Sequence, residues 1–166
     1  MTDRLAFDRR AFLLAGGSLA LVGLAGCAAP APPPAEAPAG PATVTVTATG
    51  AAGMNPGPGG DERPITLTVL QLRAVPAFQG ADFFALQSPA GALGGDLISA
   101  TQVAVAPGGS AQTVLALDPG TTAIGVVAGF REPGGKTFRA VAPVTPGQSA
   151  ALRVGVTAAG VTLAGA

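Results

Sequence analysis

Ile65-Thr66-Leu67-Thr68-Val69-Leu70-Gln71-Leu72-Arg73 alternates apolar and polar residues with a period of two, the spacing of a β-strand and not of a helix. Ile65, Leu67 and Val69, with Gln71 in line behind them, fall on one side, and Leu70 and Leu72 on the other. The far end is therefore apolar on both faces. Upstream, Thr43-Val44-Thr45-Val46-Thr47 repeats the alternation. Downstream, strands are expected over 102–106, 111–117, 122–130, 137–144, 150–156 and 161–163, each bounded by Gly, Pro, Asp or Ser. Short strands at this density, with turn signals between them, give an all-β, two-sheet sandwich of about eight strands.

Two stretches interrupt the pattern: Gly80-Ala81-Asp82-Phe83-Phe84-Ala85-Leu86-Gln87 and Leu93-Gly94-Gly95-Asp96-Leu97-Ile98-Ser99. Each is expected to form a helical turn, the first capped by Asp82 or Gly80 with Phe84 near the core, the second capped by Asp96. A short helical insertion between the second and third strands follows. The Phe83-Phe84 pair reads as core or lid packing.

The first 26 residues read as an export signal. Arg9-Arg10 precedes an apolar run over 11–25 that is diluted by Gly16, Gly17 and Gly23 and falls short of the roughly 20 residues a spanning helix needs. The run ends in Leu24-Ala25-Gly26-Cys27, which holds the only cysteine of the chain. This tetrapeptide resembles the lipobox of bacterial lipoproteins, and the resemblance implies lipidation of Cys27, which then becomes the N-terminus. By resemblance to lipoproteins of two-membrane bacteria, Ala28 after the cysteine implies sorting to the outer membrane. Arg9-Arg10-Ala11-Phe12-Leu13-Leu14 looks like a twin-arginine signal, with Asp8 and Leu14 departing from that pattern, so the general export route stays open. Residues 27–41 then form a lipidated Pro/Ala-rich tether, because alanine and proline bury too little to build a core. In polyproline II geometry, at about 3.1 Å per residue, this segment reaches roughly 40 Å. The folded domain is expected over 42–166.

From Ala28 onward six cations face seven acids, a net charge of −1, with no basic stripe for nucleic acid. The chain has no histidine, and its one thiol is committed to lipid, so nucleophilic catalysis would need a serine with Lys136 or a carboxylate as base, and Lys136 falls in an expected hairpin turn. The acids lack the spacing of a calcium loop, and neither a metal, a cofactor nor a small-molecule substrate is expected. Gly57-Pro58-Gly59-Gly60 is followed by no Lys-Ser or Lys-Thr and reads as a turn, as does Pro133-Gly134-Gly135-Lys136. Arg131 and Glu132 are expected to pair on the surface. The segment 50–64 is longer than a hairpin requires, and combines stiff proline, permissive glycine and a terminal charge cluster. It is suited to presenting main-chain and charged groups to a protein partner.

The order of motifs resembles the type VI secretion system outer-membrane lipoprotein family (TssJ, also SciN or VasD). The resemblance rests on Met54-Asn55-Pro56, Gly60, Arg63-Pro64, Val69-Leu70-Gln71-Leu72, Phe78, and Ala81-Asp82-Phe83-Phe84-Ala85-Leu86. It continues through Leu93-Gly94-Gly95-Asp96-Leu97-Ile98, Ala106-Pro107-Gly108, the run from Ile124 to Arg131, and Phe138-Arg139. Leu70 stands where relatives often have tyrosine, and Phe138 where they often have tryptophan. The resemblance implies a transthyretin-like sandwich and a non-catalytic adaptor, lipid-anchored in the outer membrane and facing the periplasm. It also implies binding to the periplasmic domain of the inner-membrane TssM subunit. The implied contact region is the loop of Met54, Asn55, Pro56, Gly60, Asp61, Glu62, Arg63 and Pro64. The residues alone leave open another lipid-anchored sandwich, such as a chaperone, a pilotin or a glycan-binding module, although the lack of Trp and Tyr argues against glycan stacking.

Overall fold

A computed structural model of the chain describes residues 40–166. Arg9, Arg10, Cys27 and nearly all of the tether lie outside the described residues. Eight strands form: β1 Thr43–Gly50, β2 Ile65–Leu72, β3 Leu97–Val105, β4 Ser110–Ala116, β5 Ala123–Ala128, β6 Arg139–Pro143, β7 Ala150–Thr157 and β8 Gly160–Gly165. They pair as two four-stranded sheets, in the orders β4-β1-β7-β8 and β3-β2-β5-β6. The β1–β7 ladder is parallel and the other ladders are antiparallel.

The two faces of β2 explain the layering. Ile65, Leu67 and Val69 point between the sheets, where they meet Val44, Val46 and Ala48 of β1 and Val154 and Val156 of β7. Leu70 and Leu72 point outward into a second apolar cluster with Phe78, Leu86 and Leu93 of the insertion between β2 and β3. All six residues of β5 are buried for the same reason. Gly125 sits at its centre, and a Cβ there would lie 3.0 Å from Cζ of Phe78. The missing side chain is the socket for that ring.

The insertion holds α1, Pro76–Gly80, and α2, Pro89–Leu93, with 3-10 turns at Ala85–Gln87 and Gly94–Asp96. This corrects the sequence reading in several places. Both helices open on a proline in the first turn, a start signal stronger than the acidic caps. Gly80 closes α1 and does not cap a helix. Asp82 does cap, accepting the Ala85 N–H at 2.8 Å, whereas Asp96 ends a 3-10 turn and its carbonyl accepts from Arg73 N–H at 2.8 Å. Leu97, Ile98 and Ser99 belong to β3. Phe84 lies 78% exposed, not near the core, because the phase of the chain at the Asp82 cap turns Leu86 inward in its place. Arg131 and Glu132 form no ion pair; among the described residues the salt bridge found is Arg63–Asp61.

Gln71 is buried yet fully used. Its Nε2 donates to the Ala116 carbonyl at 2.8 Å, while Oε1 accepts from Asp118 N–H at 2.9 Å and Thr121 Oγ1 at 2.8 Å. One side chain thus clamps the β4–β5 connection to β2.

Strand directions sort the connections into two poles. The β1–β2, β3–β4, β5–β6 and β7–β8 connections share one pole, tied by Gly50 N–H to Gly109 O at 2.9 Å, Gly129 N–H to Thr66 O at 2.9 Å and Thr137 N–H to Ala159 O at 3.1 Å. The chain enters β1 at the other pole. The eight residues of β1 separate the two poles by about 26 Å.

Candidate interaction site

The connection between β1 and β2 is built from Met54 upward. Its side chain is fully buried and belongs to the core between the sheets. Space for it comes from Gly50, where a Cβ would lie 2.7 Å from Met54 Sδ and 2.8 Å from the Ala106 carbonyl. Met54 is therefore the rivet of the loop and presents no side chain to a partner.

Beyond the rivet the chain makes a miniature hairpin. Pro56 and Glu62 form an antiparallel bridge, Gly57 N–H donates to Asp61 O at 2.8 Å, and Gly60 N–H donates to Gly57 O at 3.0 Å. Gly60 turns the chain at φ 81°, in the left-handed region that glycine enters without steric cost. A Cβ on Gly57 would run into Asp61 Oδ1 and come within 2.6 Å of Arg63 Nε, so the inner side of the turn is closed to side chains.

Polar braces fix the base. Asn55 Nδ2 donates to Pro64 O at 3.2 Å, and Asn55 Oδ1 accepts from Arg131 N–H at 3.0 Å, which ties the loop to the β5–β6 connection. Glu62 Oε1 accepts from Gly53 N–H at 3.1 Å. At the tip, Arg63 Nε donates to Asp61 Oδ2 at 2.7 Å, with both side chains 52% exposed. That hydrogen bond, aided by the positive charge of Arg63, holds the Asp61 carboxyl below the usual carboxylate range. The sign follows: a lowered folded-state value means the pair is complete at neutral pH and is lost only as pH falls through that lowered value. So exposed a pair fixes geometry more than stability.

Of the eight residues assigned to this loop from the sequence, Met54 and Asn55 hold it in place. Pro56, Gly60, Asp61, Glu62, Arg63 and Pro64 are exposed. Pro58 and Gly59 also lie exposed at the tip and were missed, because a Pro-Gly pair within a glycine run reads as a spacer. Gly50 was missed as well, since the signal for its role is an absent side chain opposite a methionine four residues on. Among the described residues no group of three or more His, Cys, Asp or Glu is placed to hold a metal ion.

Truncating the rivet separates loop from fold. Met54→Ala should cost about 2–4 kcal/mol in urea-induced unfolding, as for buried methionines generally, and should raise amide hydrogen exchange across 55–63 beyond that global loss. Unchanged exchange in the loop would mean that the hairpin and its braces hold themselves in place.

The profile of the type VI secretion lipoprotein family, described as VasD, EvfM and TssJ, matches residues 42–159. Among solved structures, the type VI lipoprotein TssJ1 of Pseudomonas aeruginosa is 28% identical and superposes with a TM-score of 0.70, over 76% of this chain and 98% of that one. Lip of Serratia marcescens, a membrane-bound component of the type VI secretion system, is 26% identical with a TM-score of 0.66, over 76% and 98%. A chain in the structure described as the type VI protein TssM C-terminal domain (869–1107) from EAEC is 27% identical with a TM-score of 0.58, over 75% and 98%. No curated protein sequence matches the chain.

Proposed function

Because this chain belongs to the type VI secretion lipoprotein family, we propose that it is a non-catalytic adaptor joining the outer membrane to the periplasmic domain of a TssM-like inner-membrane subunit. In this reading Arg9 and Arg10 direct export, acylated Cys27 is the membrane end, and the tether over 28–41 carries the sandwich clear of the headgroups. The exposed tip from Pro56 to Pro64 is the partner end.

The observation that carries the reading is the hairpin itself. Its closed inner turn, its braces and its buried rivet hold an exposed Asp61–Arg63 pair at the pole opposite the one where the tether enters. A loop ordered before binding loses less freedom on binding, so more of its contact energy appears as affinity. The description of one matched structure as the TssM C-terminal domain supports the choice of partner.

The test replaces residues 57–63 by a short glycine linker and measures binding to the periplasmic domain of the TssM-like protein of the same secretion system. Affinity should fall by at least 100-fold while the melting temperature stays within a few degrees, because the replaced residues bury little. Undiminished binding would overturn the loop as the contact.

A further inference from the structure

The most exposed large apolar side chain among the described residues is Phe84, at 78%. It does not dangle. Its ring meets Phe83 edge to face, with centroids 5.5 Å apart at 82°, and Phe83 meets Phe138 in the same way at 5.4 Å and 84°. The backbone beneath is held as firmly: Asp82 caps Ala85, Leu86 is buried, and Arg139 donates to the Ala81 carbonyl. Exposed phenyl rings ordinarily cost a protein solubility, and one held by so many contacts is preorganised for a pocket.

Its place in the fold selects the occupant. Phe138 immediately precedes β6, and its carbonyl accepts from the N–H of Ala128, the last residue of β5, at 2.8 Å. The foot of the Phe138–Phe83–Phe84 ladder therefore lies at the same pole as the β1–β2 hairpin, although the insertion that carries Phe83 and Phe84 leaves β2 and joins β3 at the other pole. A membrane would be the other natural receiver of an exposed phenyl ring beside an arginine; the pole shared with the hairpin favours the partner, and the liposome arm of the test below separates the two. The Arg139 guanidinium lies 5.1 Å from the centroid of the Phe138 ring and places a positive charge at the foot of the ladder.

We propose that Phe84 is the anchor of a second contact with the same partner that takes the hairpin, filling an apolar pocket with an acidic rim on that protein. This rests on the adaptor reading above. The hairpin supplies polar contacts and Phe84 the desolvated centre that an exposed ionic tip lacks.

The test uses the full chain purified in detergent and titrated with the periplasmic domain of the TssM-like protein, as wild type, Phe84→Ala and Phe84→Trp. Phe84→Ala should bind roughly 10- to 100-fold more weakly at an unchanged melting temperature, since the side chain is exposed in the free protein, and Phe84→Trp should recover part of the loss. Wild-type binding with an unaltered Phe84→Ala affinity would overturn the anchor and leave the adaptor reading standing. A wild type that does not bind the domain would overturn both. Loss of liposome association on adding Phe84→Ala to a Cys27→Ser chain, with partner affinity unchanged, would assign Phe84 to lipid and overturn the proposal.

Discussion

Cys27→Ser is expected to remove the protein from the membrane fraction altogether while leaving the melting temperature of the folded domain unchanged. Each methylene of an acyl chain contributes about 0.8 kcal/mol of membrane affinity, so a multiply acylated cysteine holds the protein far beyond the marginal binding of a single chain. Nothing described elsewhere replaces it: among the described residues no helix is long and apolar enough to cross a membrane. The fold does not notice the change, since β1 starts at Thr43 and is fixed by β4 on one side and β7 on the other. Fractionation after a carbonate wash decides the matter. A serine variant that still pellets with the outer membrane would refute lipidation as the anchor.

The second large effect lies inside the domain. Gln71→Leu is expected to destabilise the fold by about 2–4 kcal/mol, although leucine is the more apolar residue at a buried site. The substitution strands three groups at once: the Ala116 carbonyl, the Asp118 N–H and the hydroxyl of Thr121, which is fully buried. A buried group left without a partner costs about 1–3 kcal/mol, and water reaches the more exposed Ala116 and Asp118 more readily than Thr121. Leucine recovers at most about 1–2 kcal/mol by its own burial, so the polar loss dominates. Urea titration measures it. The double variant Gln71→Leu with Thr121→Val should regain part of the stability, because it removes the stranded hydroxyl.

Much of this architecture is legible in the chain, because a period of two leaves a strand only one way to bury its apolar side. All eight strands are found, seven of them close to where alternation and punctuation predict them, while β3 starts at Leu97, five residues before its expected start, and the two stretches that interrupt the alternation mark the insertion. The insertion itself is read less well. Its helices are only five residues long, too short to express a 3.6-residue period, and they start at Pro76 and Pro89 and not at the acidic or glycine caps that the sequence suggests. Phe84 was drawn inward for the same reason: one residue of phase separates a core position from a solvent position.

At the candidate site the loop is visible from its length, but its internal order is not. Met54 looks like one more residue of a glycine-rich excursion until Gly50 is seen making room for it. The Asn55–Arg131 brace joins residues 76 apart, a distance over which no local pattern speaks. The expected Arg131–Glu132 pair rests on adjacency at the end of a strand, but the two residues lie in a bend beyond β5 and do not pair.

The position of β1 between β4 and β7 has a mechanical consequence. A load applied between the tether at residue 42 and the hairpin at Pro56 runs along the backbone of β1 itself, so the seven residue pairs to β4 and the seven to β7 hold that strand in place without lying in the path of the load. Even if the sandwich gave way, only about 14 residues lie between the two grips, which at roughly 3.6 Å each reach about 50 Å, against the 26 Å or so that β1 already spans. Tension could therefore unravel the whole domain and lengthen the link by only about 25 Å.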